Sequence, residues 1–255
     1  MTDLTFDHIR QAVILAAGCG NRLASVLPDR PKGLLELNGL PIIERSIMQL
    51  IALGIDDIVV VTGFAANYYA YLAHRFHQIQ LIINHDYAQT NSMTSLACAK
   101  DSIHGSFLLL ESDLIYEQRG LEVLMAVPKA NAILTSGFTY SDDEVYVSAQ
   151  DGRIVELAKQ PSQQSDVVGE LVGISKISGQ MYRAMLAFYE ANTQPDKKLD
   201  YEGCITGIAS DMPISPCLVK DLIWAEIDTP EHLARVKQHI LPKLVSEWSL
   251  EKMAL

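Results

Sequence analysis

Residues 12–17 (AVILAA) and the loop that follows them constrain this chain more than any other stretch. A short, continuous apolar run that stops at glycine reads as a strand buried on both faces, the kind found inside a parallel sheet. Gly18 and Gly20 follow at once, then Arg22 and, further along the same loop, Lys32. Glycines let the backbone approach a ligand closely and aim its N–H groups at phosphate oxygens. The two cations add mobile positive charge. Two familiar phosphate loops fail here. The P-loop needs GxxxxGK[ST], which the segment does not contain. The dinucleotide fingerprint needs a third glycine where Leu23 stands.

The rest of the first half alternates apolar runs with helix-like segments. Strands are expected at 58–61, 79–83 and 107–110, and helices at 42–53, after the 58–61 strand through about Phe76, and at 94–100. Such alternation implies right-handed crossovers and a mostly parallel sheet covered on both faces. The second half changes character. Segments 145–148 and 153–157 flank Asp151-Gly152 as a hairpin would. Further strands are expected at 171–177, 218–222 and 224–227, and helices at 181–190 and 201–209. Thr229-Pro230-Glu231 opens a last helix, with threonine as cap and proline at the first position. The expected fold class is α/β, in one domain spanning 1–255, with a β-rich insertion near 138–220.

Charge removes several classes of function. Thirty-one Asp+Glu against 20 Lys+Arg give a net charge of −11, which argues against a protein that coats nucleic acid or an anionic membrane. The balance is uneven along the chain. Residues 19–33 carry Arg22, Arg30 and Lys32 against Asp29 alone, whereas 101–170 hold 12 acids against 4 bases. No apolar run reaches the length of a membrane span. The N-terminus MTDLTFDHIR lacks the basic start of a signal peptide. Four isolated cysteines, at 19, 98, 204 and 217, offer no zinc or dithiol pair, so a cytoplasmic protein with free thiols is expected.

The segment 15–32 resembles the LAAGxGxRL…PK pattern of the nucleotide-sugar pyrophosphorylase-like nucleotidyltransferases. Leu15-Ala16-Ala17-Gly18, Gly20, Arg22-Leu23 and Pro31-Lys32 match it in order and spacing. The resemblance implies a Rossmann-like, three-layer fold of the glycosyltransferase A type, with a nucleotide-binding part at about 10–137. It implies that the loop, Arg22 and Lys32 hold the triphosphate. Ligands of parallel α/β sheets sit beyond the carboxyl ends of the strands, and Asp113 and Asp228 both end strand-like runs. The family pattern makes these two the ligands of a divalent cation, Mg²⁺. Glu111 and Glu226, two residues earlier, share their strand faces and read either as added ligands or as solvated edges.

Residues 84–96 (NHDYAQTNSMTSL) resemble the stretch that holds pyrimidine and ribose in the phosphocholine cytidylyltransferase branch, with Thr90, Asn91, Ser92 and Ser95 as contacts. That resemblance makes CTP the nucleotide. Lys159 in ELAKQP resembles the lysine that meets the acceptor's phosphate. With Asp143, Glu144, Tyr146, Glu170, Tyr201 and Glu202 it completes an acceptor set most similar to the 2-aminoethylphosphonate cytidylyltransferases, within an acceptor-binding part at about 138–228. A primary ammonium wants carboxylates and a quaternary one wants aromatic faces. The chain has only Trp224 and Trp248 and many acids, which leans toward the amine; phosphocholine, stacked on Tyr146 or Tyr201, is the alternative acceptor.

A phosphonate is already anionic, so attack on the α-phosphate needs no general base, and no serine–histidine–acid pattern is present to supply one. The other reading is a non-catalytic nucleotide-sensing module, which the coexistence of Arg22, Lys32, Asp113 and Asp228 disfavours. The C-terminal helix expected at about 229–255 reads as a docking helix or as a linker to a fused or associated pathway enzyme.

Overall fold

The computed structural model describes residues 9–141, 144–163, 165–193 and 198–245. Strand β1 (Gln11–Ala16) lies at the centre, buried along its whole length. Its side chains alternate between two cores. Ala12, Ile14 and Ala16 join one apolar cluster and Val13 and Leu15 the other. This period of two on a strand with no wet face is what makes the fold three-layered.

The first half builds outward from β1. A two-residue hairpin, β2 (Glu36–Leu37) and β3 (Leu40–Pro41), precedes helix α1 (Ile42–Ala52). Ile43, Ile47 and Leu50 of α1 recur at helical spacing and pack on one sheet face. Gly54, at φ +89°, ends this turn. Strand β4 (Asp57–Thr62), helix α2 (Ala70–Arg75), strand β5 (Ile79–Ile83), helix α3 (Ser92–Cys98) and strand β6 (Phe107–Glu111) follow. β4 and β6 flank β1 in parallel, and β5 lies beyond β4. Met93 and Leu96 of α3 fill the opposite face.

Strand β7 (Leu114–Tyr116), helix α4 (Gln118–Ala126) and strand β8 (Ala132–Ser136) lead to the hairpin β9 (Tyr146–Gln150) and β10 (Arg153–Ala158). The 11-residue β11 (Val167–Ile177) runs antiparallel to β6, β8 and β9 and so ties the hairpin to the parallel strands. Helices α5 (Gly179–Asn192) and α6 (Tyr201–Ile208), strands β12 (Ser215–Val219) and β13 (Trp224–Glu226), and helix α7 (Pro230–Arg235) complete the order. The fold is the expected Rossmann-like, three-layer α/β arrangement.

One strand is corrected. The expected 218–222 lies instead at Ser215–Val219, with Leu222 already past its end. Pro216 is tolerated in β12 because, among the described residues, this strand pairs only with β8, and on an edge the missing N–H costs nothing. The final helix opens as expected. Thr229 accepts from the His232 backbone N–H at 3.2 Å, and the chain continues through a π-helical turn, Val236–Ile240. Among the described residues no helix is long and apolar enough to cross a membrane.

Candidate active site

The carboxyl ends of β1 and β6 open onto two adjoining cavities. What brings the acids together there is a two-stranded ribbon. β13 runs antiparallel to β7, with Glu226 opposite Leu114. The Ile227 N–H donates to the Asp113 carbonyl at 3.0 Å. Glu111 and Asp113, just before β7, therefore lie at the same end of this ribbon as Glu226 and Asp228, where β13 stops. One carboxylate oxygen from each of Glu111, Asp113 and Glu226 lies within 4.8 Å of the others.

Asp228 sits beside that trio and is held by cations. Arg22 Nη2 donates to its Oδ2 at 2.5 Å. The Lys32 ammonium bridges Asp228 and Asp113. Burial alone would lower the Lys32 pKa, but the charges of Asp113 and Asp228 outweigh it and hold the ammonium charged. Burial alone would likewise raise Asp228, and Lys32 instead holds its carboxyl down at about 2. The remaining acids go the other way. Burial, then the Asp113 charge, pushes Glu111 up to about 7. Burial also raises Glu226 and Glu202 well above the usual carboxylate range, with Asp113 and Glu111 adding repulsion to Glu226 and Glu111 to Glu202.

Such a cluster fits a hard cation. Asp113 Oδ1 is buried with no hydrogen-bond partner, and a lysine already occupies the space between two carboxylates. Oxygen ligands of this kind, few in number and leaving room for water, are what Mg²⁺ accepts.

Gly20 shapes the loop from behind. Its φ of +61° is left-handed, and a Cβ there would stand 2.5 Å from Lys32 Cγ. Only glycine lets the Lys32 stem cross the loop toward the aspartates. Gly18, by contrast, has nothing within 4 Å of where its Cβ would be. It lines the smaller cavity, about 250 Å³, together with Leu15, Ala16, Ala17, Lys32 and Asp113. Thr90, Asn91, Ser92 and Ser95 form the facing wall. Asn84 fixes two of them, donating from Nδ2 to Thr90 Oγ1 and to Ser95 Oγ, each at 3.1 Å. Gly20 and Arg22 are not in this wall; Arg22 lines the larger cavity instead.

The larger cavity, about 360 Å³, gathers Glu144, Lys159, Glu170 and Glu202. Glu170 Oε1 accepts from the Thr139 N–H at 2.8 Å, and its Oε2 is buried without a partner. Burial raises its pKa. Asp143 lies outside the described residues. Tyr146 and Tyr201 do not line the cavity. Tyr146 packs against Phe138, with ring centroids 6.4 Å apart. Tyr201 is 1% exposed and reaches Glu111 only through its hydroxyl. The packing of α6 turns Tyr201 into the core, and Tyr146 lies half-buried against Phe138, so neither ring is on the cavity lining.

Three lining residues escaped the sequence reading: Trp224, His232 and Arg235. His232 Nδ1 accepts from the Asp228 N–H at 3.4 Å, and its Nε2 lies 3.2 Å from the Ser141 carbonyl. Arg235 Nη1 donates to the Thr139 carbonyl at 3.4 Å. Helix α7 thus ties the 139–141 loop to the aspartate end of β13. A basic residue three after a histidine on an ordinary capped helix carries no signal of its own.

The fold is that of the nucleotidyltransferases. The chain belongs to the MobA-like NTP transferase domain family, whose model matches residues 12–240. It is 26% identical over 225 residues to the 2-aminoethylphosphonate cytidylyltransferase of Lancefieldella rimae, across 88% of this chain and 90% of that one. The inositol-1-phosphate CTP transferase from T. maritima matches with a TM-score of 0.77 at 16% identity, over 91% of this chain and 98% of that one. The CTP:phosphocholine cytidylyltransferase from Streptococcus pneumoniae matches with a TM-score of 0.72 at 20% identity, over 90% and 99%. At those identities the two solved structures bear on the fold alone.

Proposed function

We propose that the protein transfers CMP from CTP to 2-aminoethylphosphonate and releases pyrophosphate. The observation that carries this reading is the pair of adjoining cavities that share Lys32 and Glu111, with Asp113 lining the smaller and Asp228 the larger. The smaller cavity takes the nucleotide. The larger one takes the acceptor, and residues 138–228 supply most of its wall. The name of the Lancefieldella rimae relative supports the choice of both substrates.

Nucleotidyl transfer needs an in-line nucleophile and neutralisation of charge growing on the leaving group. The loop amides around Gly18 are free to bind triphosphate oxygens. Lys32 and Arg22 leave Asp228 for the more highly charged phosphates when nucleotide binds. Thr90, Asn91, Ser92 and Ser95 supply the donors and acceptors that a cytosine and ribose require. In the same reading Asp113 and Asp228 would hold Mg²⁺, with Glu111 and Glu226 beside Asp113 as further oxygens. A divalent cation held there would supply positive charge against the negative charge that grows during the transfer. Lys159 and Arg235 orient the phosphonate, and Glu144, Glu170 and Glu202 offer oxygens to the ammonium. No base is needed, because the phosphonate attacks as an anion.

Trp224 lines the same cavity and offers the kind of aromatic face a quaternary ammonium uses, which favours phosphocholine as the second reading. A pyrophosphate-release assay with CTP and each acceptor in turn decides between them. Faster turnover per KM with 2-aminoethylphosphonate is expected. Preference for phosphocholine, or for UTP over CTP, overturns the substrate assignment.

A further inference from the structure

Tyr201 begins α6, a helix at the start of the acceptor wall, yet its ring is buried and its hydroxyl points at the other half of the site. The phenol donates to Glu111 Oε1 at 2.6 Å, across 90 residues of chain. The backbone N–H of Tyr201 donates to Ser92 Oγ at 3.0 Å, so the residue is pinned at both ends. Glu111 is fitted from the other side as well. A Cβ on Gly173 would stand 3.1 Å from Glu111 Oε2, and that glycine's φ of +83° keeps the space clear. One oxygen of Glu111 is thus hydrogen-bonded and the other has room, while the carboxylate lies within the 4.8 Å trio with Asp113 and Glu226. Asp113 is itself 7% exposed, and its Oδ1 has no partner.

We propose that Tyr201 is a positioning residue which holds the Glu111 carboxylate in register with Asp113 and Glu226, so that Glu111 serves as an additional oxygen ligand of the divalent cation. This rests on the reading of the site as a cation-dependent nucleotidyltransferase. A carboxylate on the last residue of a strand has three rotatable bonds. Without the phenol it is free to swing away from the trio into the larger cavity, toward Lys159. Partners that orient a ligand in this way typically contribute 10- to 100-fold in metal affinity, roughly the loss expected on their removal. Tyr201 also links Ser92, on the nucleotide wall, to the cation ligands, so occupancy of one bears on the geometry of the other.

The test is a double-mutant cycle on the full chain, read by electron paramagnetic resonance of Mn²⁺ in the presence of CTP and without acceptor. Tyr201→Phe removes one oxygen and leaves the ring in the core. It is expected to weaken Mn²⁺ binding about tenfold. Glu111→Gln is expected to weaken it at least as much, and the double variant no further than Glu111→Gln alone. In steady state, kcat of Tyr201→Phe falls while the KM for 2-aminoethylphosphonate stays within about twofold of wild type. Wild-type Mn²⁺ affinity in Tyr201→Phe overturns the proposal, as do additive losses in the double variant. So does a rise in acceptor KM at unchanged kcat, which would make Tyr201 an acceptor contact. Asp113→Asn separates the two levels: if it retains Mn²⁺ and turnover, the cation reading itself fails, whatever Tyr201 does.

Discussion

The Lys32 ammonium rests on the Asp228 carboxylate, 196 residues further along the chain. It touches Asp113 as well, so one loop cation bridges both strand-end aspartates before any substrate arrives. Lys32→Met should therefore act twice. Turnover should fall roughly 100- to 1,000-fold, the usual cost of losing one donor to developing charge. The ligand-free protein should also lose about 3–5 kcal/mol, because the buried Asp113 carboxylate loses its cation and Asp228 keeps only Arg22. Added Mg²⁺ should restore part of that loss. Thermal melts with and without Mg²⁺, beside initial rates of pyrophosphate release, check both; an unchanged melting temperature would make the ion pair incidental.

The pH dependence of stability should separate Glu111 from Asp228. Glu111 is raised from 4.5 to about 7 in the folded chain, so the folded state holds its proton more tightly than the unfolded one. Its contribution is complete below pH 4.5 and is lost as pH rises through 7. Asp228 is lowered from 3.8 to about 2, so its contribution is present above 3.8 and lost as pH falls toward 2. Metal-free urea midpoints measured from pH 4.5 to 8 should decline in wild type and decline less in Glu111→Gln. Parallel slopes in the two proteins would remove Glu111 as the cause.

Gly20→Ala should injure the loop without touching the core. The left-handed backbone costs a non-glycine residue about 1–2 kcal/mol, and the new methyl meets the Lys32 stem at 2.5 Å. The KM for CTP should rise several-fold while the acceptor KM holds. A Gly20→Ala enzyme with wild-type CTP kinetics would mean that Lys32 does not reach the triphosphate by this route.

The acceptor wall should answer to different substitutions. Lys159→Ala should raise the KM for 2-aminoethylphosphonate about 10- to 100-fold, the cost of one charge-assisted contact of roughly 1.5–3 kcal/mol. Glu170→Gln should weaken binding of the amine more than binding of phosphocholine, because the lost charge matters most to a group that donates hydrogen bonds. Equal effects on CTP and acceptor would move Lys159 out of the acceptor site.

Much of this architecture could be read from the chain, and the gaps have physical causes. The AVILAA run, the 79–83 strand and the Thr229 cap are all local signals; the structure has the last two at the expected residues and the first strand one residue earlier, at Gln11–Ala16. The ribbon that juxtaposes Asp113 with Asp228 was not legible. β7 is three residues long, too short for any period, and its partner lies more than 100 residues away. Tyr201 illustrates a second blind spot. A tyrosine at a helix start next to acids looks like a surface aromatic until the packing of α6 turns its ring inward. Trp224, His232 and Arg235 come from a strand end and a capped helix, and only the closure of the chain makes them neighbours of Glu170.

β11 has a mechanical consequence. One strand pairs with β6 through Ile174–Ile177 and with β9 through Val167–Glu170, so both cavities share a single beam. The register slips between Leu171 and Ser175, around Gly173. The acceptor wall therefore does not swing as a separate flap; any closing stroke must flex the beam at that slip. Compliance and clearance meet at one glycine, because the residue at the slip is also the one that leaves room for Glu111.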